Sequence, residues 1–118
     1  MHELGIVTHL ASTLDELAVE EKITNYGSVT LEVGEVSGIM TDYFIDCWDY
    51  FKVRHEKLKN CKMILETEKA YTICTSCNKE YETVKYGKIC PYCNSPETYL
   101  LRGNGCVIKS VEAETEED

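Results

Sequence analysis

The chain has 118 residues, 43% of them apolar, and a formal net charge of −9. That length allows one compact domain or a domain carrying a small insert. No apolar run approaches the roughly 20 residues of a membrane helix, no secretory leader pattern opens the chain, and no lysine/arginine stripe offers a nucleic-acid footprint. The expectation is a cytoplasmic protein with neither a membrane nor a nucleic acid among its partners.

Residues 4–20 carry an amphipathic helical pattern. Leu4, Val7, Ala11, Leu14 and Ala18 recur at helical spacing, and Leu10 and Leu17 widen the stripe. Asn25-Tyr26-Gly27 predicts a break. Val29 to Val33 then alternates as a half-buried strand does, and Gly34 and Gly38 frame a loop. A second helix is predicted from Thr41 or Asp42 to about Lys59, with Thr41 as its N-cap. Phe44, Cys47, Trp48 and Phe51 give it one apolar face. Met63-Ile64-Leu65 reads as a second strand.

Residues 70–100 hold both prolines, Pro91 and Pro96, and few large aliphatics. Such a segment cannot bury much core, so a metal is expected to hold it together. Gly103-Asn104-Gly105 reads as a turn and Cys106 to Val111 as a last strand. That strand needs a sheet to join. The expected fold is therefore α+β: a small three-stranded sheet packed with two helices, with an inserted zinc-ribbon-like module of four cysteines. The expected boundaries are an α/β domain over 1–69 completed by a returning strand over 101–113, a metal module over 70–100, and an acidic tail over 114–118. Five of the seven residues from Glu112 to Asp118 are acidic, which reads as a solvated tail.

The strongest motif is Cys74-x2-Cys77, twelve residues, then Cys90-x2-Cys93. Two such pairs can place four thiolates at tetrahedral corners, the arrangement of a closed structural zinc site. Soft thiolates select zinc or iron over magnesium or calcium. All four ligands come from protein, so no position is left for a reactive water. A rubredoxin-like iron site is the main rival to zinc. A thioredoxin-type dithiol at Cys90-Pro91-Tyr92-Cys93 fits less well, because no long buried strand precedes it and a second pair lies at zinc-ribbon distance. Lys79, Lys85 and Lys88 lie inside the module, where they can offset the negative cluster or serve as ordinary surface. Cys47, Cys61 and Cys106 read as structural thiols.

The chain begins Met1-His2-Glu3. A free α-amine, the next amide nitrogen and the His2 imidazole can chelate one ion in adjoining rings, and such nitrogen-rich sites suit Ni(II) or Cu(II). Amides at the start of the following helix have no intrahelical acceptor. The positive end of the helix dipole opposes a cation, and Glu3 can offset it as ligand or as acceptor beside the ligands. The bland reading is a frayed terminal histidine. His9 and His55 read as surface residues.

Met1-His2-Glu3-Leu4, the amphipathic helix, Leu31-Glu32-Val33-Gly34-Glu35 and the two C-x-x-C pairs together resemble the HypA/HybF family over nearly the whole chain. The resemblance implies a nickel metallochaperone of [NiFe]-hydrogenase maturation. It implies Ni(II) as cargo at Met1, His2 and Glu3, and structural Zn(II) at Cys74, Cys77, Cys90 and Cys93. It implies a HypB-type GTPase and the [NiFe]-hydrogenase large subunit precursor as partners. Some relatives add an acidic ligand from the loop before the second helix. Here Met40, Thr41 and Asp42 stand near that point, and only Asp42 matches in kind.

No nucleophile–base set or phosphate-binding glycine loop is legible, so no catalytic role is expected. The readings that compete with the metallochaperone are a zinc-ribbon interaction module without a nickel role and a rubredoxin-like electron carrier.

Overall fold

The structure is a computed structural model that describes residues 3–116. In chain order it holds α1 (Glu3–Glu20), β1 (Ile23–Gly34), α2 (Thr41–Lys52), a 3-10 turn (Glu56–Leu58), β2 (Lys62–Glu68), β3 (Tyr71–Cys74), β4 (Glu80–Glu82), α3 (Thr83–Tyr86), β5 (Thr98–Arg102) and β6 (Cys106–Thr115). One three-stranded sheet has the order β2-β1-β6, and a second has the order β4-β3-β5. This is the α+β architecture that the pattern predicts. The chain forms two compact units. One comprises the chain up to Leu31, Ile39–Leu65 and the chain from Ile108 onward; the other comprises Glu32–Gly38 and Glu66–Val107.

The first unit is built by the apolar stripes. α1 buries Val7, Leu10, Ala11, Leu14 and Ala18, while Leu4 at the head of the predicted stripe stays exposed. α2 buries Phe44, Cys47 and Trp48. Full burial of side chains as large as Leu14 or Phe44 stabilises by about 1.5–3 kcal/mol each. The polar atoms of the buried aromatics are satisfied inside: Trp48 Nε1 donates to the Cys61 carbonyl at 2.9 Å, and the Tyr26 hydroxyl donates to the Leu14 carbonyl at 2.7 Å.

Three elements differ from the sequence expectation. Asn25-Tyr26-Gly27 does not break the chain but lies inside β1. Tyr26 is fully buried there, and the burial alternation slips phase between it and Val29, which is why no simple period-two pattern extends back to Ile23. The second helix stops at Lys52 rather than Lys59, and its N-cap is Met40 rather than Thr41. Beyond Lys52 the chain tightens: Arg54 N–H bonds Phe51 O, His55 N–H bonds Lys52 O and Leu58 N–H bonds His55 O. This buries Leu58 and brings the Cys61 carbonyl within reach of both Trp48 and Lys52 Nζ. The last strand continues past Val111 to Thr115, and Glu116 N–H bonds the Lys22 carbonyl at 2.9 Å.

The second unit centres on β3, which pairs antiparallel with both β4 and β5. The chain enters β3 through Ala70 and leaves β5 through Gly103. Both points are held by carboxylates: Glu35 Oε1 accepts Ala70 N–H at 3.1 Å, and Glu68 Oε1 accepts Gly103 N–H at 3.0 Å. Gly34 N–H donates to Gly105 O and Val36 N–H to Gly103 O. The crossing is so close that a Cβ on Gly34 would overlap the Gly103 carbonyl, and one on Gly103 would overlap Ala70.

Candidate metal centre

Cys74 ends β3 and Cys77 lies on the turn that follows, while Cys90 and Cys93 lie on a second turn before β5. The two turns are built alike. In the first, Asn78 N–H donates to Cys74 O at 2.8 Å and Cys74 N–H to Lys79 O at 3.0 Å; in the second, Asn94 N–H donates to Cys90 O at 2.8 Å and Cys90 N–H to Ser95 O at 3.0 Å. Each turn needs a left-handed residue directly after its second cysteine. Asn78 and Asn94 supply it, both at φ 61°, and asparagine is among the few side chains that tolerate that conformation. The repeated C-x-x-C-N signal is visible in the sequence once the geometry explains it. The Ser76 and Ser95 hydroxyls join the two turns at 2.8 Å.

All four sulfurs lie within 4.8 Å of one another. Cys74 Sγ is 3.6 Å from Cys93 Sγ, and Cys77 Sγ is 3.7 Å from Cys90 Sγ. A disulfide requires about 2.05 Å. A tetrahedral ion with metal–sulfur bonds of about 2.3 Å requires sulfur–sulfur edges of about 3.8 Å. The sulfurs are therefore spaced for an ion. Cys74 and Cys90 are fully buried, Cys77 is half-buried and Cys93 is exposed.

Without an ion, the thiols share protons unequally. Burial works against the Cys74 thiolate, but the backbone N–H groups of Cys77 and Ser76 and the Cys93 and Cys77 thiols outweigh it, and the pKa falls to about 6. At Cys93 the Ser95 N–H favours the thiolate, but the hydrogen bonds to Cys74, Cys90 and Cys77 win and push it up to about 12. An ion must therefore displace protons to enter.

Tyr81 belongs to this centre, although no sequence signal marks it. It is buried against Cys74, Cys90 and Cys77, and its hydroxyl donates to the Gly87 carbonyl at 2.9 Å. Tyr86 meets it edge-on at 6.0 Å. Of the module's lysines, Lys79 lies 4.8 Å over the Tyr92 ring and Lys85 lies 5.3 Å over the Tyr86 ring.

Of the predicted nickel residues, Met1 and His2 lie outside the described residues. Glu3 opens α1, is 8% exposed, and accepts Met40 N–H on Oε2 at 3.0 Å. Its carboxylate thus faces the segment that starts α2. Asp42 is exposed in the first turn of that helix. His9 is exposed, as expected, whereas His55 is half-buried, with Nδ1 2.8 Å from Asp15 Oδ2. Cys47 and Cys61 are buried and Cys106 is half-buried; burial pushes the Cys61 thiol up to about 11.

Fold and site define a small α+β metal-binding protein with paired four-thiolate turns. The sequence profile of the HypA family, described as hydrogenase/urease nickel incorporation, metallochaperone, matches residues 1–113. The chain belongs to the HypA family. Among similar proteins, hydrogenase maturation factor HypA of Campylobacter jejuni is 33% identical over 67% of this chain and 69% of its own. Its counterpart in Aquifex aeolicus is 28% identical over 98% of this chain and 100% of its own. The solution structure of the Ni metallochaperone HypA from Helicobacter pylori superposes with a TM-score of 0.78 at 23% identity, covering 98% of this chain and all of that one, which bears on the fold alone.

Proposed function

We propose that this protein binds Ni(II) through Met1, His2 and Glu3 and delivers it to the [NiFe]-hydrogenase large subunit precursor, acting with a HypB-type GTPase in the cytoplasm. It serves as a carrier rather than a catalyst. Cys74, Cys77, Cys90 and Cys93 hold a structural Zn(II), within a module expected to span 70–100. The observation that carries the reading is the family match, which begins at residue 1 and so takes in the Met1-His2-Glu3 start. The near-buried Glu3 carboxylate supports it. Negative charge there offsets the helix dipole that would repel a cation. A chelate at a chain end exchanges its ion readily, which a carrier needs. A closed sulfur cage suits a resident ion instead.

Nickel titration of the untagged protein tests this against a variant extended by one residue before Met1, which removes the free amine and leaves His2. The extension and His2→Ala should each abolish tight nickel binding and its absorption band while zinc content is unchanged. Unaltered nickel affinity in the extended protein would reject the terminal chelate. The colour of the protein as purified decides the resident ion: iron held by four thiolates is red and zinc is colourless.

A further inference from the structure

We propose that the face formed by α2 and the first turn of α1 is a docking groove for a cationic amphipathic helix of a partner protein. Tyr43, Tyr50 and Val53 follow one another at i, i+7 and i+10, and they are 52%, 63% and 57% exposed. Leu4 of α1 is 47% exposed beside them. Two hollows, of about 480 and 250 Å³, are both lined by Leu4 and Tyr43 and so lie side by side along one groove; the larger reaches Glu3 and the smaller reaches Asp46 and Tyr50. Exposed aromatics gathered around a concavity mark a binding face rather than a solvated one, and a groove beside a helix is a common seat for an amphipathic helix.

The charge on this face selects the occupant. Asp42, Asp46 and Asp49 project from the same helix. Asp49 is paired with Lys52 at 3.4 Å, whereas Asp42 and Asp46 make no ion pair among the described residues. The rings themselves accept cations: the Arg54 guanidinium sits 4.7 Å over Tyr50 and donates to its hydroxyl at 2.6 Å. Apolar anchors between unpaired carboxylates complement a helix with leucine-like residues on one side and lysine or arginine on the other. If the nickel reading above holds, a helix seated here also lies beside the cargo, because Glu3 lines the groove.

The test uses a labelled 18-residue helix with leucines at i, i+3, i+4 and i+7 and lysines elsewhere, read by fluorescence anisotropy at physiological salt. A scrambled peptide of the same composition is the control. Tyr50→Ala and Asp46→Lys should each weaken binding by about tenfold or more. Glu114→Lys on β6, with the same change in net charge, should leave binding within about twofold of the parent. Amide shifts in the unaltered protein should cluster at Leu4, Tyr43, Asp46 and Tyr50, a readout that needs no variant. Equal binding of the scrambled peptide, equal weakening by Glu114→Lys, shifts elsewhere, or a dimer that Tyr50→Ala dissociates would each overturn the proposal. Nickel titration of His2→Ala stands apart from these measurements, so failure of the nickel reading is distinguished from failure of the groove.

Discussion

The Glu3 carboxylate accepts the backbone N–H of Met40 at 3.0 Å, tying the first residue of α1 to the N-cap of α2. Met40 provides no side-chain cap for that helix. With Glu3 only 8% exposed, its removal strips the Met40 amide of a charged acceptor. Glu3→Ala should cost about 1.5–3 kcal/mol in chemical denaturation, and Glu3→Gln, which keeps an acceptor, less. If Glu3 also serves the nickel site, calorimetric titration should show weaker nickel binding in both variants.

Gly103 has φ 101° and meets Ala70 where any Cβ would overlap it. Gly103→Ala therefore faces both backbone strain and a steric clash, worth about 3 kcal/mol or more together. Gly38→Ala is the comparison, since Gly38 is also at positive φ, 79°, but has open space around it. Urea unfolding should show a loss in Gly103→Ala clearly larger than the strain-only loss in Gly38→Ala.

Two buried groups set the alkaline limit. Burial, then the Asp15 and Cys61 charges, raise Tyr26 from 10 to about 12. Burial raises Cys61 from 9 to about 11, against the pull of Lys52. Both acids are neutral when protonated and ionise more easily in the unfolded chain. Their contribution is thus complete below the unfolded values of 9 and 10 and is lost as pH rises through about 11 and 12. Thermal melts should show a midpoint that falls progressively from about pH 9 upward. A midpoint flat to pH 12 would contradict this placement of Tyr26 and Cys61.

Metal uptake at the four cysteines should release protons. Cys93 is held up at about 12. At Cys77 the Lys79 N–H favours the thiolate, but burial and the Cys90 and Cys74 thiols outweigh it and raise the pKa. Because each thiol that is protonated near neutrality must lose its proton to bind, apparent zinc affinity should climb with pH, by about tenfold per unit for every proton displaced. Chelator competition between about pH 6.5 and 8 measures the slope. Cys90→Ser/Cys93→Ser should lose the ion and the amide dispersion of Tyr71–Cys74, and hydrogenase docking by that variant tests whether the module orients a partner surface.

The division between sequence and tertiary structure follows the range of the forces involved. The α1 stripe, the Phe44-Cys47-Trp48 face and the paired C-x-x-C turns were legible because helical periodicity and metal-ligand spacing are local properties. The α2 terminus was not legible. No glycine or proline between Val53 and Lys59 marks the end of the helix, and the chain turns there in a way that buries Leu58 and brings the Cys61 carbonyl to Trp48. The buried Tyr26 escaped for a similar reason, since its hydroxyl partner, Leu14, comes from another element. Residue identity alone set the metal chemistry of Cys74, Cys77, Cys90 and Cys93. Only the folded chain could bring Tyr81 against those sulfurs, Glu35 to Ala70 and Glu3 to Met40, because no periodicity or spacing rule records these contacts and the last two join residues 35 and 37 positions apart.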